Sequence, residues 1–412
     1  MQVQYPRCCG LDVHKATVVA CLLQMDADGR RSTAIRTFGT TTDDLLALGD
    51  WLRANSATHV AMEATGSYWK PVFNLLEGQF TVWVVNAAHI KAVPGHKTDV
   101  HDAEWIADLL QHGLLKPSFI PDRFQRELRD LTRSRTIVVD ERSAVVNRVQ
   151  QVLEDANLKL AGVATDIMGV SGRAMLAAIV AGTTDSATLA NLAKGKRRTK
   201  REQLDRALSG RVGAHHRLLL SMHLTHIDFL DELVAQLTAE IAERLKPFED
   251  ELQRLDAIPG VGRSTAEVLL AEIGPDMTRF PTAGHLASWA GMCPGNYESA
   301  GKRKKGKTRK GSKFLRRALT EAARAAARKR GCYPAAQYRR LVVRRGPGKA
   351  AVAVGHTLLV TAYYLLLRHD TYRDLDPSLL DERLRKRTRQ RALAQLQALG
   401  YDVALTEHQP AA

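Results

Sequence analysis

Cysteine has little to do in this chain. Five are present, Cys8, Cys9, Cys21, Cys293 and Cys332, and none of their spacings is that of a zinc site or a disulfide framework. Adjacent Cys8 and Cys9 on a strand would point to opposite faces, as packing residues rather than ligands. No run of ~18 apolar residues occurs, so no membrane span is expected. Residues 1–7 lack the apolar core of a signal peptide, and a reducing cytoplasm is the expected compartment. A P-loop is likewise missing, which leaves no signature of ATP-driven work.

Positive charge, by contrast, is abundant. Lys and Arg total 60 against 44 Asp and Glu, a formal net charge of +16 over 412 residues, and that suits a polyanionic partner. The length implies two or three domains. Residues 8–24 and 31–38 read as strands joined through the turn Asp26-Ala27-Asp28-Gly29, giving three antiparallel strands. Helix and strand then alternate, with helix over 42–54, strand over 58–63, helix over 67–77, strand over 81–86 and a helix over 98–111 closed by Gly113. That order is RNase H-like, so the expected class is α/β plus α, with an RNase H-like N-terminal domain followed by helical regions.

On this sheet four acids stand out. Asp12 follows the apolar run Cys-Cys-Gly-Leu and Glu63 follows His-Val-Ala-Met, so both side chains are expected at neighbouring strand ends. Asp99 and Asp102 are three apart at a helix start and share one helical face. Thr98 followed by Asp99 is also an ordinary helix start, so a capping role for Asp99 stands beside a metal role. An acid after an apolar run costs desolvation unless something pairs with it, which weighs for function at Asp12. Carboxylates without Cys or clustered His favour Mg²⁺ or Mn²⁺ over zinc.

From about residue 122 to 245 the sequence is helical and highly charged, with Leu230, Leu233, Leu237, Ile241 and Leu245 recurring at spacings of three or four. Such a stripe is either the core-facing side of a helix or a self-associating coiled coil. Residues 194–201, Lys-Gly-Lys-Arg-Arg-Thr-Lys-Arg, read as an exposed basic turn that can grip phosphates. Pro259-Gly-Val-Gly262 joins two helical stretches as a helix-hairpin-helix would, and the backbone amides at Gly260 and Gly262 are expected to face phosphate with no side chain in the way. A tight corner without a ligand is the alternative. A basic run follows, in which Lys302, Arg303, Lys304, Lys305, Lys307, Arg309, Lys310, Lys313 and Arg316 are uninterrupted by any acid and read as a phosphate-binding loop.

With these residues in hand, the chain resembles the DEDD-type transposases of the one-ten insertion-sequence family, recombinases guided by a bridge RNA. Asp12, Glu63, Asp99 and Asp102 match that family's acidic tetrad, including the Lys-Thr-Asp-x-x-Asp-Ala context, and Ser299 in Glu-Ser-Ala-Gly-Lys matches its nucleophilic serine. Residues 311–319 match the helix that follows; Ala300 departs from the glycine often found after the serine. The resemblance implies a RuvC-like DEDD catalytic domain over 1–121, a helical coiled-coil region over 122–250, a helix-hairpin-helix and serine-containing transposase domain over 251–345, and a C-terminal helical region over 346–412. It also implies double-stranded DNA and a guide RNA as partners, a homodimer or tetramer, and work at the bacterial nucleoid. A serine hydroxyl needs activation, and the acid-bound metal would supply it in the absence of a nearby His-Asp pair. Two other hydroxyls compete with Ser299. Ser312 fits a helix N-cap better, and Tyr297 lacks the arginine-histidine set of tyrosine recombinases. A RuvC-like hydrolytic nuclease, which has no need of Ser299, is the alternative reading.

Overall fold

The segment Arg-Cys-Cys-Gly-Leu-Asp-Val alternates its side chains between two apolar layers and forms β1 (Arg7–Val13) at the centre of a five-stranded sheet. The computed structural model describes residues 2–26, 28–64, 66–90, 102–294, 298–299, 302–303, 308, 311–375, 389–390, 392–400 and 402. The chain divides into two compact units, residues 1–122 and 123–412. In the first, β1 pairs antiparallel with β2 (Thr17–Met25), and β2 with β3 (Arg31–Gly39). After α1 (Thr42–Ala54), β4 (His59–Glu63) joins the other side of β1 in parallel. After α2 (Trp69–Leu76), β5 (Thr81–Val85) joins β4, also in parallel. The order is β3-β2-β1-β4-β5. A short α3 (Ala87–Ile90), which the sequence pattern does not announce, precedes α4 (Asp102–Gln111). The expected helix start at 98 lies outside the described residues.

Each sheet face has its own core. Cys9, Leu11, Val60 and Met62 pack against Leu45, Leu48 and Leu52 of α1 and Val72 and Leu76 of α2. Cys8, Cys21, Leu23 and Ala61 pack against Ala103, Ile106, Ala107 and Leu110 of α4. Cys8 and Cys9 thus part to opposite faces as the pleat requires. Burial pushes the Cys8 thiol up to about 12 and that of Cys21 up to about 11, so both stay protonated and pack as apolar groups. Gly10 sets how closely α4 lies on the sheet. A Cβ there would overlap the Ala103 carbonyl oxygen and the Ala107 nitrogen, so only glycine lets the helix rest on β1.

The second unit is helical among its described residues, apart from the two-residue strands β6 (Glu298–Ser299) and β7 (Lys302–Arg303). Its long members are α5 (Arg123–Asp155) and a later helix, Ala214–Leu245, which run along one another. Between them lie α6 (Leu160–Val163), α7 (Val170–Val180), α8 (Ser186–Asn191) and α9 (Arg201–Leu208), which makes Ala214–Leu245 α10. Val145, Val149 and Leu153 of α5 meet Leu220, Ile227 and Leu230 of α10 in a core shared with α6 to α9. Towards the other end, Leu128 and Ile241 with Leu245 enter the core of α11 (Glu249–Asp256), α12 (Arg263–Ile273), α13 (Ala283–Trp289), α14 (Lys313–Arg328), α15 (Tyr333–Arg345) and α16 (Pro347–Arg368).

One of the two readings of the leucine stripe is decided here. The Leu230, Ile241 and Leu245 stripe is buried within the chain, with Leu233 and Leu237 half-buried, so it is a core-facing stripe and not a free coiled-coil seam. The helix α16, at 22 residues, is long and apolar enough by length and composition to cross a membrane, a stretch that the sequence reading passed over. Its Ala351, Val354, Leu358, Leu359 and Ala362 are nevertheless core residues of this unit, where an all-round apolar helix is at home.

Candidate active site

Parallel register puts two of the acids side by side. The paired couples of β1 and β4 end at Leu11 and Met62, and the next residue on each strand is Asp12 and Glu63. Both lie on the α4 face. Cys8 donates its thiol to the Ala107 carbonyl at 3.7 Å, Gly10 abuts Ala103, and Ala61 packs with α4; with a period of two, Asp12 and Glu63 follow on that side. The helix runs opposite to β1. Its C-terminal Gln111 carbonyl accepts from the Gln4 and Tyr5 amides at 2.9 and 3.2 Å, ahead of the strand, while Ala103 lies over Gly10. Asp102, the first residue of α4, therefore stands at the strand end that carries Asp12 and Glu63. Asp99 lies outside the described residues.

The acids sit at a surface. The Asp12 side chain is 24% exposed, Glu63 is half-buried and Asp102 is exposed. Asp12 has a partner that sequence reasoning missed. His14 Nε2 lies 2.9 Å from Asp12 Oδ2, just past the strand, where the His14 amide donates to the Thr17 carbonyl at 2.9 Å in the turn to β2. The Asp12-x-His14 spacing was the available signal. Carboxylates gathered at one edge repel unless a cation or a proton joins them, and an all-oxygen donor set suits a hard divalent ion.

A different grouping, Asp155, His215 and His216, brings its ligand atoms within 4.8 Å of one another. The ring of His216 is already committed there. Its Nδ1 accepts the Gly213 amide at 3.0 Å, so its Nε2 carries the proton and donates to Asp155 at 2.9 Å. That pattern closes the first turn of α10.

In the second unit the two glycines of the α11–α12 turn divide their roles. Gly260, with φ of 88°, faces α14, and a Cβ there would overlap the Ala322 carbonyl oxygen and the Ala326 nitrogen. It serves close helix packing, which corrects the expectation that it lies open to phosphate. Gly262, the N-cap of α12 with φ of −113°, has open space where its Cβ would be, as phosphate approach requires. Gly260→Ala is expected to lower Tm by several degrees, from overpacking of roughly 1–3 kcal/mol in addition to backbone strain. Gly262→Ala should leave Tm unchanged and weaken DNA binding; thermal melts showing the reverse order would overturn this division.

Ion pairs, one of them buried on both sides, hold α12 in place. Arg135 of α5 meets Glu267 at 2.7 Å, with both side chains under 9% exposed, and Arg133 forks onto Glu272 at 2.7 and 3.0 Å. Arg263 forks onto Glu249 of α11 at 2.6 and 2.8 Å. Of the basic run, Lys313 is exposed, whereas Arg316 is half-buried and donates to the Gly291 carbonyl, so part of its charge fixes the chain before the loop. Lys302 and Arg303 pair in register with Ser299 and Glu298 on the two short strands, and Lys304, Lys305, Lys307, Arg309 and Lys310 lie outside the described residues. The side chain of Ser299 does as well, together with Tyr297. Ser312 is the N-cap of α14, its Oγ accepting the Leu315 amide at 3.2 Å.

Comparison with known families brings the two units together. A DEDD transposase model of IS110 type matches residues 9–158, and a model described as transposase of the IS116/IS110/IS902 family matches residues 252–339. The chain belongs to this IS110/IS116 transposase family. The first match contains all four acids and the second contains the α11–α12 turn, Ser299 and the basic run. A probable family 20 transposase of Pseudomonas aeruginosa is 27% identical over 332 residues, 79% of this chain and 88% of that protein. The transposase for insertion sequence element IS1111A of Coxiella burnetii is 25% identical over 325 residues, 76% of this chain and 79% of that one. A 43.6 kDa protein of insertion element IS110 from Streptomyces coelicolor is 60% identical over 40 residues, 10% of each chain. This transposase is therefore an enzyme of DNA transposition that binds DNA.

Proposed function

We propose that this transposase cuts and rejoins DNA strands with Ser299 as the nucleophile and Mg²⁺ held by Asp12, Glu63, Asp99 and Asp102, on double-stranded element ends and targets chosen by a guide RNA. The observation that carries the reading is the juxtaposition of Asp12, Glu63 and the start of α4 at one sheet edge. The strand order β3-β2-β1-β4-β5, with an antiparallel first half and a parallel second, supports an RNase H-like, RuvC-like first unit. The α11–α12 turn, with Gly262 open at a helix N-terminus, supports a helix-hairpin-helix that holds DNA by its backbone.

The donor set fits a hard ion such as Mg²⁺, or Mn²⁺. When bound, that ion supplies positive charge against the phosphate and lowers the pKa of a hydroxyl beside it. The remaining work falls to the chain. The carboxylates of Asp12, Glu63 and Asp102 would hold the ion against which the reacting phosphate is positioned, and His14 orients Asp12 through Oδ2. Ser299 Oγ bonds to phosphorus as a phosphorus–oxygen bond to the sugar breaks and the sugar hydroxyl is released. The phosphoserine link conserves the bond, so rejoining to another strand needs no ATP. Lysines after Ser299 neutralise the phosphate. A hydrolytic RuvC-like nuclease is not favoured by the family match.

Exchange of two strands on two duplexes calls for at least a dimer. Exposed Leu218, Met222 and Phe229 along α10, at 62%, 60% and 55% exposure, support a self-associating face there. Recognition by a guide RNA leaves the protein to read phosphates and shape. Neutralising Lys304, Lys305, Lys307 and Arg309 should then weaken DNA binding with little sequence preference. The slope of log affinity against log salt should shallow by about 0.9 for each DNA phosphate that the loop no longer neutralises, and an unchanged slope would show the loop to be solvated surface. The reading as a whole is tested by denaturing electrophoresis of the enzyme with a nicked element end in Mg²⁺. A protein–DNA adduct is expected, and efficient cleavage without one would make water the nucleophile.

A further inference from the structure

Below the α11–α12 turn, α15 and α16 leave a cavity of about 400 Å³ that the acids and the serine do not use. Its floor is apolar, from Ile258, Leu358 and Leu365, and its rim carries Tyr333, Tyr364 and Tyr372 with Arg368 and Arg373. After α16 the chain reverses at His369, in the left-handed region at φ of 54°, and folds back to form one wall. Asp374 secures that wall by accepting the Tyr372 hydroxyl at 2.7 Å and the Tyr333 amide at 3.3 Å.

We propose that this cavity receives an unpaired nucleobase, with the flanking phosphates on Arg368 and Arg373. Arg368 lies over the Tyr364 ring at 4.9 Å, a pairing that sets a planar cation beside a partly exposed aromatic side chain. Tyr364 is 41% exposed, while its neighbour Tyr363 is buried with its hydroxyl donating to the Phe280 carbonyl, so the adjacent tyrosines divide into an anchor and a platform. Among the described residues, neither Arg368 nor Arg373 has a carboxylate partner, and the Thr361 hydroxyl at the cavity has no hydrogen-bond partner. An apolar floor disfavours a free ion, and two unpaired cations disfavour a neutral apolar ligand. A flat heterocycle attached to phosphate satisfies both, through stacking on tyrosine, charge on arginine and a base edge for Thr361. A duplex keeps its bases stacked and paired, so only an unpaired or extruded nucleotide can enter. Burial and then the Asp374 carboxylate hold the Tyr372 phenol above its usual value, which keeps it an uncharged ring beside phosphate.

The inference rests on the proposed function only in that recombination and a guide RNA make unpaired nucleotides available; its test uses no cleavage. Matched single-stranded RNA and DNA oligonucleotides carrying 2-aminopurine are titrated onto the full chain in EDTA, with a duplex of equal length as reference. Quenching of 2-aminopurine is expected with at least one of the two, and the tighter arm names the source. Tyr364→Ala should weaken single-strand binding by roughly five- to a hundredfold, the value of one stacked base, while Tyr364→Phe retains it and duplex affinity stays constant. Arg373→Gln should weaken single-strand binding and shallow its salt dependence. Wild-type affinity and quenching in Tyr364→Ala would overturn the proposal, as would equal losses in Tyr364→Ala and Tyr364→Phe. A failure of the serine and acid chemistry would leave these results unchanged, so the two readings fail separately.

Discussion

Asp12→Ala, Glu63→Ala and Asp102→Ala are each expected to cut strand cleavage by about a thousandfold or more, while DNA affinity holds or rises slightly. The size follows from several kcal/mol of transition-state charge stabilisation removed with the metal, at a factor of ten for each ~1.36 kcal/mol. Binding is expected to survive because the basic loop proposed to grip phosphate is untouched, and with no ion bound the loss of a carboxylate favours the polyanion. His14→Ala should do less, since it orients Asp12 through a single hydrogen bond from a largely exposed ring, its side chain 61% exposed. Gel-based cleavage on an element end, with filter binding in parallel, separates the two effects. Full recombination by Asp12→Ala in Mg²⁺ would sink the metal site.

The acidic edge proposed as that site was legible in the sequence for a specific reason. Alternation in β1 and β4 marks both strands, and an acid directly after an apolar run is costly enough to attract notice. The parallel register that sets Asp12 beside Glu63 was not legible, because nothing local in either strand encodes its neighbour. Alternation also sent Cys8 and Cys9 to opposite cores. Local capping chemistry placed Ser312 at the start of α14, and the helix expected over 42–54 is the observed α1, whose cap Thr41 accepts the Asp44 amide at 3.4 Å.

Long-range packing was where local signals ran out. Gly260 and Gly262 look alike in Pro-Gly-Val-Gly, yet one meets the backbone of α14, much later in the chain, and the other meets solvent. The buried Glu267 and Glu272 read as an ordinary charged helix face until α5 supplies Arg135 and Arg133. In the same way the Leu230 to Leu245 stripe carries the period of a coiled coil, and only the presence of α5 decides that its partner lies within the chain. Arg316 is one more cation in an unbroken basic run, but its geometry commits a donor to the Gly291 carbonyl.

Ser299→Ala is expected to abolish both the covalent adduct and strand exchange, because in the proposed reaction its hydroxyl supplies the attacking oxygen. Ser312 already accepts the Leu315 amide as a helix cap, which ties its oxygen to α14. On a nicked substrate the wild-type enzyme should yield a complex resistant to denaturant, and protease digestion should leave a DNA-linked peptide containing Ser299. The acid variants should also fail to form it, since in the proposed reaction the acids and the serine act on the same phosphate, and double variants should then cost little more than either single change. Ser299→Cys places a better nucleophile at neutral pH against a hard ion that a thiolate suits poorly, so an adduct there should respond to replacing Mg²⁺ by the softer Mn²⁺. If Ser299→Ala cleaved at the wild-type rate with no trapped peptide, water would be the nucleophile and Asp12, Glu63 and Asp102 would belong to a hydrolase.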